Sequence, residues 1–71
     1  MENAQISPTV LRLAQKAVRE MIAEGQPTKQ FAFGRGNNNY FWVSNGADKI
    51  IGPEEIDVDG KIFYMGMFLA Q

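Results

Sequence analysis

The pattern of apolar residues predicts one amphipathic helix near the start of the chain. Apolar residues recur there at three- and four-residue spacing, which places them on one side of a helix. Ser7 is a good N-cap residue, and Pro8 suits the first helical position because an N–H group there has no helical acceptor. Gly25 is typical of the residue that ends a helix, so we predict a helix over residues 8–24. The predicted buried stripe consists of Val10, Leu11, Ala14, Ala17, Val18, Met21 and Ile22.

After Pro27 the pattern changes to short alternating or wholly apolar runs, which are typical of β-strands. The dipeptides Asn45-Gly46 and Asp59-Gly60 favour type I′ turns, which join two antiparallel strands through two residues. The pair Gly52-Pro53 indicates a bend, a bulge or an edge position. The predicted strands are residues 29–34, 40–44, 48–51, 55–58 and 61–69.

These elements predict an α+β fold in a single domain of residues 1–71. One N-terminal helix is expected to pack on an antiparallel β-meander of four to five short strands. The alternative is a small SH3-like barrel with the same N-terminal helix. A bend at Gly52-Pro53 and a kink at Gly66 would both help a sheet to close on itself.

The predicted turns assign the side chains to two faces of the sheet, because cross-strand partners share a face and faces alternate along a strand. The Asn45-Gly46 turn would place Val43 opposite Asp48, and a bulge at Gly52-Pro53 would reverse the assignment beyond it. The first face, which suits the helix stripe, is predicted to contain Phe41, Val43, Ile50, Ile56, Val58, Phe63, Met65, Met67 and Leu69. The second face is predicted to contain Tyr40, Trp42, Lys49, Ile51, Glu55, Asp57, Ile62, Tyr64 and Phe68.

The predicted second face mixes aromatic rings with single charges, and the sequence contains no second helix to cover it. Burying one large apolar side chain stabilises a protein by roughly 1.5–3 kcal/mol. A chain of 71 residues is near the lower limit for folding alone, so leaving several rings in water would cost much of its stability. We therefore expect the second face to meet a second copy, another partner or the opposite wall of a barrel.

Composition removes several classes of function. The chain has no cysteine and no histidine, which excludes disulfides, histidine-dependent nucleophilic catalysis and the common zinc and haem ligands. Its net charge of −1 gives no overall attraction to nucleic acid. The N-terminus lacks the regions of a signal peptide, and no apolar run reaches the roughly 18 residues of a membrane span. We expect a cytoplasmic protein without a cofactor or a bound metal.

Two stretches are candidates for catalysis or ligand binding. The sequence 57–60, Asp-Val-Asp-Gly, lacks the third oxygen ligand and the closing glutamate of a calcium loop, so we interpret it as a turn. Gly34-Arg35-Gly36 lies between two strands, whereas a phosphate-binding loop leads into a helix. We interpret this second stretch as a hairpin loop whose Arg35 contacts a partner, and we predict that the protein is not an enzyme.

The predicted function is a small protein–protein interaction module that acts as an accessory regulator or inhibitor, of the kind that phages and mobile elements encode. Its expected partner is another protein, a second copy of itself, or both. The alternative is a single-stranded nucleic-acid-binding protein that stacks bases on the same aromatic residues. Tyrosine, tryptophan and arginine dominate the energetics of interfaces. The predicted partner-binding residues are Tyr40, Trp42, Tyr64, Phe68, Arg35, Asn37, Asn38 and Asn39.

Overall fold

The structure, a computed structural model, describes residues 7–32 and 40–69, and for Tyr40 it describes the backbone alone. One helix packs on a four-stranded antiparallel sheet, which confirms the predicted α+β class. A 3₁₀ helix, Ala47–Lys49, lies between the second and third strands. The helix and strands are α1 (Pro8–Glu24), β1 (Thr28–Ala32), β2 (Tyr40–Ser44), β3 (Ile50–Val58) and β4 (Lys61–Phe68).

Helix α1 has the predicted bounds, because both of its ends are capped as the sequence indicates. The Ser7 hydroxyl accepts a hydrogen bond from the Val10 N–H at 3.2 Å. Gly25 takes the left-handed conformation, with φ of 70°. The buried stripe is narrower than predicted, since Ile22 is 57% exposed. Ile22 lies about 100° around the helix from the buried Met21, and this rotation turns its side chain away from the core.

The strands lie in the order β1-β2-β4-β3. Strand β4 therefore separates β2 from β3, and β1 and β3 form the two edges. Residues 50–51 of the predicted strand 48–51 and all of the predicted strand 55–58 belong to the single strand β3, whereas Asp48 and Lys49 lie in the 3₁₀ helix. Because β1 and β3 do not pair within the described part of the chain, the sheet there is open and differs from the alternative barrel.

The two dipeptides that predicted hairpins have different outcomes. Asp59 and Gly60 have φ of 55° and 86°, and Val58 pairs with Lys61 across them. This hairpin is therefore confirmed, with the positive φ angles of a type I′ turn.

The hairpin predicted at Asn45-Gly46 is wrong. Gly46 has φ of −141°, and Val43 pairs with Met65 of β4 rather than with Asp48. The Ser44 hydroxyl accepts a hydrogen bond from the Gly46 N–H and donates one to the Gly46 carbonyl, each at 3.0 Å. These bonds satisfy backbone groups of Gly46 and stabilise a bend at the end of β2.

A β-bulge interrupts β3 at the predicted position, between Ile51 and Glu54. Gly52 there has φ of 67°. The bulge brings its backbone so close to Gly66 that a Cβ atom at Gly66 would lie 2.6 Å from the Ile51 carbonyl oxygen. It also reverses the facing of the residues before it. Ile50, which pairs with Phe68, therefore lies on the second face, and Ile51, which pairs with Met67, lies on the first; both assignments are opposite to the predicted ones.

The core lies between α1 and the first face. Met67 and Leu69, which were predicted on this face, are exposed and lie outside the core; Met67 is 58% exposed. Met65 is therefore the last residue of β4 in the core. The buried core residues are Ala14, Ala17, Val18, Met21, Val43, Ile56, Val58, Phe63 and Met65.

Candidate interaction surface

The second face is the side of the sheet opposite α1, and the strand register determines its members. Val43, Phe63 and Met65 pack in the core under the helix, so their neighbours in sequence point to the other side. Among the residues whose side chains are described, the second face consists of Thr28, Gln30, Ala32, Trp42, Ser44, Ile50, Glu55, Asp57, Ile62, Tyr64, Gly66 and Phe68.

Trp42 and Phe68 form an aromatic pair on this face. Trp42 lies opposite Gly66 in the β2–β4 register, and Phe68 follows Gly66 by two residues on the same face. Because Gly66 has no side chain, the indole can lie across β4 toward Phe68. The ring centroids are 4.6 Å apart with an interplanar angle of 36°. Trp42 is half-buried and Phe68 remains 42% exposed, so part of this aromatic pair is accessible at the surface.

Part of the second face is covered by the connection between β2 and β3, residues 45–49. The two strands are parallel with β4 between them, so the connection must cross one face of β4. The first face holds α1, and the Ser44 side chain on the second face bonds to Gly46 of the connection. Ser44 is fully buried. Ile50 is also buried, although it does not belong to the core that packs under the helix. The sequence contains no second helix to cover this face, but the connection 45–49 covers part of it.

Ile62 and Tyr64 extend the apolar surface along β4 toward the Asp59-Gly60 turn. Ile62 is 49% exposed and Tyr64 is half-buried. Glu55 lies directly opposite Tyr64, and Asp57 lies opposite Ile62. Neither carboxylate forms an ion pair in the part of the chain that the structure describes. This half of the second face therefore combines apolar side chains with negative charges that are not neutralised.

Several of the basic side chains instead hold the helix to the sheet on the opposite side. Arg19 of α1 donates two hydrogen bonds to the Asp59 carboxylate, at 3.0 and 3.2 Å. This contact raises the pKa of Arg19 and lowers the pKa of Asp59, first through the hydrogen bonds and then through charge attraction. Lys29 of β1 donates to Glu24 at 2.7 Å, and that hydrogen bond is the main reason that the pKa of Lys29 is raised.

The structure brings three of the predicted partner-binding residues together. Trp42, Tyr64 and Phe68 lie on the second face, as predicted. The Tyr40 side chain lies outside the described part of the structure, and so does the loop with the remaining predicted residues. Those loop residues are Arg35, Asn37, Asn38 and Asn39. Ile50 also lies on the second face, although the sequence pattern predicts it on the first. The local sequence around Gly52-Pro53 does not encode the direction in which the bulge shifts the register.

An open cavity of about 300 Å³ adjoins the aromatic pair. This volume is at the lower end of the range for small-molecule sites. Its lining residues are Pro27, Thr28, Asp48, Lys49, Phe68 and Leu69.

No group of three or more potential metal-ligating side chains is found within residues 7–32 and 40–69. In the same residues, α1 is too short and too polar to cross a bilayer. Comparison of the chain with protein-family models, with curated proteins and with solved structures gives no match.

Proposed function

We propose that this protein is a non-enzymatic protein-binding module that contacts its partner through the second face. The observation that carries this proposal is the grouping of Trp42, Tyr64, Ile62 and Phe68 on one face, with Phe68 and Ile62 exposed. Aromatic side chains that are already packed against a neighbour lose little conformational entropy on binding, and they dominate interface energetics.

The charges on this face support a protein partner over the alternative of a single-stranded nucleic acid. Glu55 and Asp57 lie beside Tyr64 and Ile62, where they would repel phosphates. Arg19 and Lys29 are engaged with carboxylates. Since phosphate neutralisation supplies much of the affinity for nucleic acid, base stacking on Trp42 alone would bind weakly.

A module of this kind acts by occupying a surface of its partner, and we therefore propose the role of an accessory regulator or inhibitor in the cytoplasm. The support for this role is the exposed apolar surface together with a sequence that lacks the cysteine and histidine on which many active sites depend.

Affinity capture with two matched variants tests the proposal. Phe68→Ser removes an exposed apolar side chain from the second face, and Ile22→Ser removes one from the helix. We expect a protein that is captured by the wild type to be lost with Phe68→Ser and retained with Ile22→Ser. Equal capture by both variants would show that the second face is not the binding surface.

A fluorescence titration with a single-stranded DNA oligonucleotide tests the alternative function. Trp42 is the only tryptophan of the chain, so it reports directly on stacking at the second face. We expect no change in its emission at low salt. Quenching that weakens as salt is added would favour the nucleic-acid-binding function instead.

A further inference from the structure

We propose that the second face binds a protein segment in which lysine or arginine residues lie beside apolar residues. This inference rests on the proposed function and adds the chemistry of the partner. The apolar part of the segment would cover Ile62, Tyr64 and Phe68, and its basic residues would meet the carboxylates of Glu55 and Asp57.

The position of these carboxylates determines the charge of the partner. Residues directly opposite each other on neighbouring strands have Cβ atoms about 4.5–5.5 Å apart. Glu55 is paired in this way with Tyr64, and Asp57 with Ile62. A partner that covers these two apolar side chains must therefore also approach both carboxylates and displace water from them, and an uncompensated carboxylate is costly to desolvate.

The described strands supply no basic side chain on the second face to compensate these charges. Lys29 and Lys61 belong to the first-face register of β1 and β4. Lys49 lies in the 3₁₀ helix at the other end of the face, beside Phe68. The described part of the second face therefore leaves the compensation of Glu55 and Asp57 to a partner.

A second copy is a poor match for the same surface. Two copies that meet through their second faces with their strands aligned would place Glu55 and Asp57 opposite Thr28 and Gln30 of β1, which carry no charge. With the strands reversed, the two carboxylates would lie toward the same carboxylates or toward the end of the face where the charge of Lys49 is offset by the neighbouring Asp48. Like charges placed together at an interface oppose association. The charge pattern therefore favours a different, basic protein as the occupant.

The partner segment is expected to lie on the face rather than to extend the sheet at β3. The Gln15 side chain of α1 donates a hydrogen bond to the Asp57 carbonyl at 3.0 Å, which occupies a backbone acceptor that an added strand would need. Pro53 and the bulge interrupt the other half of this edge. Both features are typical of edges that are protected against strand addition.

The experiment uses three series of immobilised peptides that share the same aromatic and aliphatic residues. The remaining positions are lysine in one series, serine in the second and glutamate in the third. We expect the lysine peptides to retain about tenfold more of the full chain than the glutamate peptides, because a few close charge pairs would give a difference of this size. The serine peptides should retain an intermediate amount. Added salt should reduce this preference.

Two double variants with the same net charge provide the controls. Glu55→Gln with Asp57→Asn removes the two negative charges. The Asp57 side chain accepts a hydrogen bond from the Gly60 N–H at 3.1 Å, and the amide oxygen introduced at this position can still accept it. Thr9→Lys with Gln26→Lys adds two positive charges at exposed positions outside the sheet. We expect the first variant to lose the preference for lysine peptides and the second to keep it.

The outcomes separate this inference from the proposed function. Equal retention by the three series, reduced in each by Phe68→Ser, would overturn the basic partner and leave protein binding by the second face intact. Retention by none of the series, or retention that Phe68→Ser does not change, would overturn both. A dimer in light scattering that Phe68→Ser dissociates would make a second copy the occupant and would also overturn the basic partner.

Discussion

The two faces of the sheet use apolar side chains in different ways. On the first face, Phe63 and Met65 are buried against α1, and the chain itself supplies everything that they contact in the core. On the second face, Trp42 and Phe68 pack against each other, yet Phe68 keeps 42% of its surface in water. The first face therefore contributes mainly to folding, whereas the second keeps part of its apolar surface accessible to a partner. The comparison predicts that equivalent substitutions on the two faces have different consequences.

Phe63→Ala should produce the largest loss of stability, about 3–5 kcal/mol, because it leaves a cavity between α1 and the sheet. Urea unfolding followed by Trp42 fluorescence measures this loss. Phe68→Ala is the matched change on the second face, and it should cost much less because its ring is only partly buried. Similar losses at both positions would mean that the two faces do not differ in their contribution to folding.

Gly66→Ala should destabilise the fold by about 1–3 kcal/mol, the usual range for overpacking. The added methyl group would lie 2.6 Å from the Ile51 carbonyl oxygen, which belongs to the backbone of the bulge and cannot rotate away. Gly46→Ala is the control, because a Cβ atom there would meet only the flexible Asp48 side chain, at 3.0 Å. A stable Gly66→Ala protein with unchanged unfolding would contradict the close approach of the bulge to β4.

Trp42→Ala should weaken partner binding more than it weakens the fold. We expect a stability loss of roughly 1–2 kcal/mol, since the half-buried indole leaves less apolar surface than a core residue. Urea unfolding followed by circular dichroism gives the stability, and retention on the peptide series described above gives the binding. If the variant unfolds as easily as Phe63→Ala, then Trp42 belongs to the core of the fold.

Acidification should produce the smallest effect, through the contact between Arg19 and Asp59. The pKa of Asp59 is lowered in the folded state, so in acid the unfolded chain binds the proton more readily. The contribution of this contact is therefore complete above the ordinary aspartate pKa of 3.8, and it is lost as pH falls through the lower folded value. Urea unfolding at a series of pH values should show this loss for the wild type and a smaller one for Arg19→Gln. Lys16→Gln, which removes a helix charge that pairs with Glu20 instead, should behave as the wild type.

The helix and one hairpin could be predicted from sequence because their signals are local. Ser7 and Gly25 cap α1 through their own side chain and backbone, and Asp59-Gly60 joins two strands that are neighbours in the sheet. Asn45-Gly46 carries a similar signal, but β2 pairs with β4 and thereby places Val43 against Met65 in the core. Burial of these two side chains is a long-range effect, and it outweighs the preference of a two-residue turn.

The candidate surface could be predicted in part. Alternation along a regular strand places Tyr64 and Phe68 on one face of β4. Trp42 is predicted on the same face only because two errors cancel: β2 pairs with β4 instead of forming the Asn45-Gly46 hairpin, and the bulge at Gly52-Pro53 reverses the facing within β3. Ile50 and Ile51 were reversed, since a bulge of one residue exchanges the two faces for everything before it. The coverage of Ser44 depends on the path of the connection 45–49. That path follows from the strand order, and no local motif in the sequence indicates it.

The central position of β4 also constrains how the chain can fold as it is synthesised. Strand β3 leaves the ribosome before β4, yet among the described strands it pairs with β4 alone. Helix α1 can pack against β1, β2 and the apolar residues of β3, but the sheet is complete only when β4 inserts between β2 and β3. The nascent chain therefore completes its sheet only when residues 61–68 have emerged. A chain that stops at Gly60 would lack the strand that joins its two halves, and we expect it to be bound by chaperones or degraded.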